Sequence, residues 1–135
     1  MHTANYTDTF ISVAEDCPVH EAAIPEHKAA PSVAALQYAM ISTDPYKHTS
    51  DDVIFAVHAM RHEIPRSEWK EARELFFSKG QACLRASPLT KRYGFGVHSD
   101  AHGRVALVPL GSKAYATFAG DQRLKQVKAM RSKRA

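Results

Sequence analysis

Cysteine is nearly missing from this chain of 135 residues: Cys17 and Cys83 stand far apart, without a CxxC spacing. Two such residues exclude a disulfide scaffold and a zinc knuckle, and they suit a reducing, cytoplasmic setting. Also missing is any apolar run near the ~20 residues that a membrane-spanning helix requires, so no membrane partner is expected. The N-terminus lacks the basic-then-apolar pattern of a secretory signal. Internal repeats, low-complexity segments and cofactor-binding motifs are absent as well, so no cofactor is expected.

What remains has the composition of an ordinary soluble domain, 44% hydrophobic and 24% charged. The length fits a single domain over residues 1–135, able to bury a core without staples. The net charge of +4 conceals a split. Residues 1–78 hold 6 Lys/Arg against 12 Asp/Glu, whereas residues 79–135 hold 12 against 2. A basic half of this kind suits a polyanion or protein partner. The alternative is that the two halves face each other, within one domain or across a homodimer.

Residues 5–14 are rich in Thr, Tyr, Phe, Ile and Val and read as a strand, ended by Pro18. Three prolines then mark residues 18–31 as an extended connection. Ser32 caps a first helix with the stripe Val33, Leu36, Met40 and Ile41, broken at Asp44-Pro45. Ser50 caps a second, with Asp51 and Asp52 near its positive end and Val53, Ile54, Val57, Met60 and Ile64 on its apolar face. Ser67 opens a third that buries Trp69, Ala72, Leu75 and Phe76, with Gly80 as its stop. Ser87-Pro88 starts a short helical turn. Residues 94–99 and 104–110 form a hairpin across Asp100–Gly103, and Ser112 caps a helix over 113–119. Residues 124–130 read as strand or helix within a basic tail, 124–135, that frays from Arg131. The fold class is α+β: a small, mainly antiparallel sheet of the N-terminal strand and the C-terminal hairpin, packed against three or four helices.

The stretch from Lys79 to Gly111 concentrates reactive and glycine positions. In a strand, Gly94, Gly96 and His98 share a face. Two glycines there leave a bare floor on which either a ligand or another element can sit. With Arg85, Lys91, Arg92 and Tyr93 near in sequence, the first option is a pocket for a small anionic or phosphorylated ligand. A second option is a small enzyme with His98 as general base and Arg85 or Lys91 stabilising charge. Cys83 with His98 and Asp100 would be a nucleophilic variant, although Leu89 stands where a phosphatase-type C-x5-R loop requires Arg. A free cysteine is more commonly a small buried hydrophobe, and Cys17 is read the same way.

Other constellations carry less. Arg92–Val97 has the flavour of an RNA-reading strand, but Val97 replaces the second stacking aromatic. His58 and His62 sit four apart on one helix without the Glu of HExxH or a third ligand, so no metal is expected. Residues 124–135 carry five Lys/Arg and no acid. They would give at most a weak nucleic-acid contact, or dock on the acidic helices.

The run Asn5-Tyr6…Asp8-Thr9-Phe10…Val13-Ala14-Glu15-Asp16-Cys17-Pro18 resembles an uncharacterised bacterial family, the domain of unknown function 6157. So do Thr49–Val53, the stretch from Phe77-Ser-Lys-Gly80 to Gly96, and Leu124–Arg134. The similarity spans nearly the whole chain, with Phe95 where much of that family would carry Trp. It implies a compact bacterial single-domain protein and names no activity.

Overall fold

The computed structural model describes residues 2–133. Its sheet has four strands in the order β3-β2-β1-β4: β1 Thr9–Ser12, β2 Phe95–Ser99, β3 Val105–Pro109 and β4 Lys125–Lys128. β1 runs antiparallel to β2 and β2 antiparallel to β3, as the hairpin pattern requires. β4, however, lies parallel to β1, so the sheet is mixed rather than antiparallel. Five α-helices accompany it among the described residues: α1 Val33–Thr43, α2 Ser50–Arg61, α3 Trp69–Phe76, α4 Pro88–Lys91 and α5 Lys113–Ala119.

Local chemistry accounts for most boundaries. The Ser32 hydroxyl accepts from the Ala35 N–H and starts α1; Ser87 and Ser112 do the same for α4 and α5. The cap of α2 is Thr49, one residue earlier than the expected Ser50. Thr49 and Asp52 form a reciprocal capping box. β1 is shorter than its β-prone run, and Asp8, just before it, takes a left-handed φ of 46°. α3 is preceded by a 3-10 turn over Arg66–Glu68, and Leu75 on it is 74% exposed, not buried.

One face of the sheet carries Ile11, Val97 and Val105 against Ile41 of α1, Val53 of α2 and Leu84. The opposite face is covered by α5. A second cluster, Phe55, Ala59 and Phe77, holds α3 to α2 through Trp69 and Phe76.

The basic tail is largely structure. Residues 125–128 are the edge strand, Ala129 is buried in the core, and the Asp16 carboxylate accepts from the Ser132 and Lys133 backbone N–H groups. Lys128 also pairs with Glu15 at 2.8 Å. Here the basic and acidic halves do meet. Any fraying at Arg134 and Ala135 lies outside the described residues.

Candidate functional site

The glycine floor is covered. A Cβ on Gly96 would stand 2.7 Å from Phe10 Cζ and 3.0 Å from the Ile11 carbonyl oxygen. Phe10 is itself roofed by α5, edge-on to Tyr115 at 5.1 Å and stacked on Phe118 at 5.9 Å. At Gly94, φ 77°, the returning chain closes in: Val19 Cγ2 would be 2.9 Å from an added Cβ and the Glu21 carbonyl oxygen 3.2 Å. Both glycines therefore admit packing protein rather than leaving open backbone.

The other residues expected around that floor lie in separate places. His98 stacks on Phe118 at 4.3 Å, and its Nδ1 is 2.8 Å from the Tyr46 hydroxyl. Burial lowers the His98 pKa, against the opposing pull of Asp100, Asp8 and Asp121. Tyr46 has a left-handed φ of 61°, and its N–H donates to the Val105 carbonyl, so this ring reaches across edge strand β3. Asp100 shapes the hairpin turn, accepting from the His102 and Arg104 N–H groups. Arg85 donates from Nε to the Lys128 carbonyl at 2.8 Å and so caps the open edge of β4. Cys83 Sγ lies 3.4 Å from the Tyr6 hydroxyl. Neither Arg85 nor Lys91 is among the groups that surround His98.

Lys91, Arg92 and Tyr93 do come together. With Ser32, Val33 and Pro88 they line a cavity of about 310 Å³ beside the start of α1. The His58 and His62 rings lie 4.3 Å apart, tilted by 35°, and burial, then the neighbouring His62, lowers the His58 pKa. Among the described residues, no group of three or more His, Cys, Asp or Glu is placed to hold a metal.

A larger opening lies elsewhere. α1 and α3 both pack on α2, and between them runs a cleft of about 730 Å³. Its floor is one stripe of α2: Asp52, Phe55, Ala56 and Met60. One wall is the α1 stripe Leu36, Ala39, Met40 and Thr43; the other is Arg66, Trp69, Lys70 and Arg73. The i, i+3, i+4 spacing of each set puts it on a single helical face. Asp44, Lys47 and His48, from the α1–α2 connection, close one end.

The cleft is apolar below and cationic above. Trp69 stands edge-on to Phe55 at 5.5 Å, and its indole N–H donates to the Ile64 carbonyl at 2.9 Å, so the ring is fixed. The Arg66 guanidinium lies 4.4 Å above that ring. Arg73 is committed to Asp52 at 2.9 Å. Burial resists ionisation of Asp52, yet the Thr49 backbone N–H and the Arg73 guanidinium outweigh it and hold the pKa below the usual carboxylate range. Lys47 faces Asp44 at 3.9 Å. Among the described residues, Arg66 and Lys70 form no ion pair with a carboxylate.

The family model for a family of unknown function, DUF6157, matches residues 1–135. The chain belongs to that family. No match was found for this DUF6157 chain among curated proteins or among solved structures.

Trp69, expected in the core, is half-buried against the Phe55 cluster and also lines the cleft beside Arg66 and Lys70, two residues with no expected role. The available signal was Arg66, Trp69, Lys70 and Arg73 recurring at helical spacing, which sets three cations and an indole on one face.

Proposed function

We propose that this protein binds a small organic anion in the cleft between α1, α2 and α3. One observation carries the reading: Arg66 and Lys70, which form no ion pair with a carboxylate among the described residues, stand beside an aromatic and aliphatic cleft of drug-ligand size. An apolar body would rest on Phe55, Ala56 and Met40, and its acidic group would meet Arg66 and Lys70. Arg gives a planar two-point contact and Lys a mobile point charge. The anionic ligand expected from the sequence is retained; its location moves from the sheet to the helices.

Trp69 is the only tryptophan in the chain, so its emission reports on this cleft alone. Titration with octanoate is expected to change that emission saturably, and octanol to bind at least tenfold more weakly. Arg66→Ala and Lys70→Ala should each weaken octanoate several-fold with the melting temperature kept. Equal binding of octanoate and octanol would remove the cationic rim from the account. No response to either would end it.

A second reading concerns a compact anion at Lys91 and Arg92, favoured by their convergence with Tyr93 on one cavity. Inorganic phosphate should then raise the melting temperature of the wild type and not of Arg92→Ala, without moving Trp69 emission. A shift equal in both proteins would refute it.

A further inference from the structure

The cleft does not end at Met60. A second cavity of about 450 Å³ adjoins it, and Leu36 and Met60 line both. Beyond those two side chains its walls are Ala29, Ala30, Pro31, Arg61 and Glu63. Along α1 the first cleft spans Leu36 to Thr43, about 10 Å of helix at 1.5 Å per residue. The second continues that line toward Pro31. The joined space is therefore elongated rather than round, with Arg66 and Lys70 beside one part and Ala29, Ala30 and Pro31 beside the other.

The junction is adaptable. Met60 is 43% exposed and lines both cavities. An unbranched thioether with three rotatable bonds can move aside and still pack on what passes it. A rigid aryl acid would fill the first cleft and leave the second unused, whereas a flexible chain can thread both.

Resting on the cleft reading above, we infer that the ligand is a straight-chain acyl carboxylate. Its head meets Arg66 and Lys70, and its tail passes between Leu36 and Met60 into the cavity under Ala29–Pro31. The charge of the rim selects the carboxylate, and the length of the joined space selects the chain.

The test is a series of saturated carboxylates from hexanoate to dodecanoate, each kept below its micelle concentration and followed by Trp69 emission. Affinity should rise about threefold to fourfold per methylene, the equivalent of about 0.8 kcal/mol for each buried CH2. The rise should continue past octanoate. Ala30→Phe, at an exposed position outside the lining of the first cleft, keeps Trp69 as the single tryptophan and should flatten the rise for decanoate and dodecanoate and spare hexanoate. Dodecyltrimethylammonium, with the opposite head charge, should bind at least tenfold more weakly than dodecanoate. A plateau from octanoate onward in the wild type overturns this inference and leaves the cleft reading standing. So does Ala30→Phe weakening hexanoate as much as dodecanoate. Equal binding of the ammonium surfactant overturns it too, because the chain alone would then be recognised. Failure of every carboxylate to bind defeats the cleft reading itself.

Discussion

The α5 side of the sheet and the cleft over α2 are both rich in aromatic rings, yet one is sealed and the other open. On the sheet, Phe10 lies across Gly96, Tyr115 and Phe118 lie on Phe10, and His98 lies on Phe118. Over α2, Phe55 and Trp69 meet edge-on and line a space instead of filling it. Spacing explains the contrast. Strands stand about 4.8 Å apart, so a ring from one strand reaches the bare position on its neighbour. Helices pack at about 8–10 Å, and two of them laid on a third leave a groove unless a large side chain bridges it. Glycine in a strand thus marks where something packs closely, while openings arise where helices diverge.

The sharpest way to break this contrast is to put a side chain on the sealed side. Gly96→Val drives methyl groups into the Phe10 ring and toward the Ile11 carbonyl, and should cost about 1–3 kcal/mol, read as a lower urea midpoint. The folded fraction should still bind octanoate with wild-type affinity. A fully stable Gly96→Val protein would mean that the face is open after all.

A smaller effect is expected from Asp52, which builds the cleft floor. Asp52→Asn weakens the capping box and the Arg73 pair, together about 1 kcal/mol. The folded-state pKa of Asp52 lies below its unfolded value. Its stabilisation is therefore complete above the unfolded pKa and disappears as pH falls through the folded one. Melting temperatures measured from pH 7 down to acid should show a loss that the Asn variant lacks in part. Parallel curves for the two proteins would contradict this assignment.

The smallest effect belongs to His98, at the margin of the sealed face. Burial lowers its pKa, so the unfolded chain takes up a proton first as pH falls below about 6.5. Its contribution is present above that value and is lost as pH falls through the folded pKa. His98→Gln should flatten stability between neutral and mildly acidic pH; a proton titration of the His98 ring ending above 6.5 would reverse the sign.

The elements were legible because their signals are local. Ser32, Ser87 and Ser112 cap helices at the expected places, Asp44-Pro45 ends α1, and Gly103 turns the hairpin. The parallel placement of β4 on β1 was not legible, since Lys-Gln-Val-Lys shows no strong pattern and its partner lies over a hundred residues away. The spatial grouping of the candidate residues was not legible on the same ground. Arg85, Lys91 and His98 are close in sequence, yet a 3-10 turn, a short helix and a strand carry them to different surfaces. Sequence proximity does not survive two changes of chain direction. The cleft depends on the angle between α1 and α3, which no single segment encodes.

The most direct measurement is the amide and indole chemical-shift map of the labelled protein titrated with decanoate. The account predicts that the Trp69 indole N–H and the amides of Leu36, Met60, Arg66 and Lys70 move together and saturate at one equivalent. Gly94, Gly96 and His98 should stay in place. Shifts centred on those three residues, with Trp69 unmoved, would contradict it and return the ligand to the sheet.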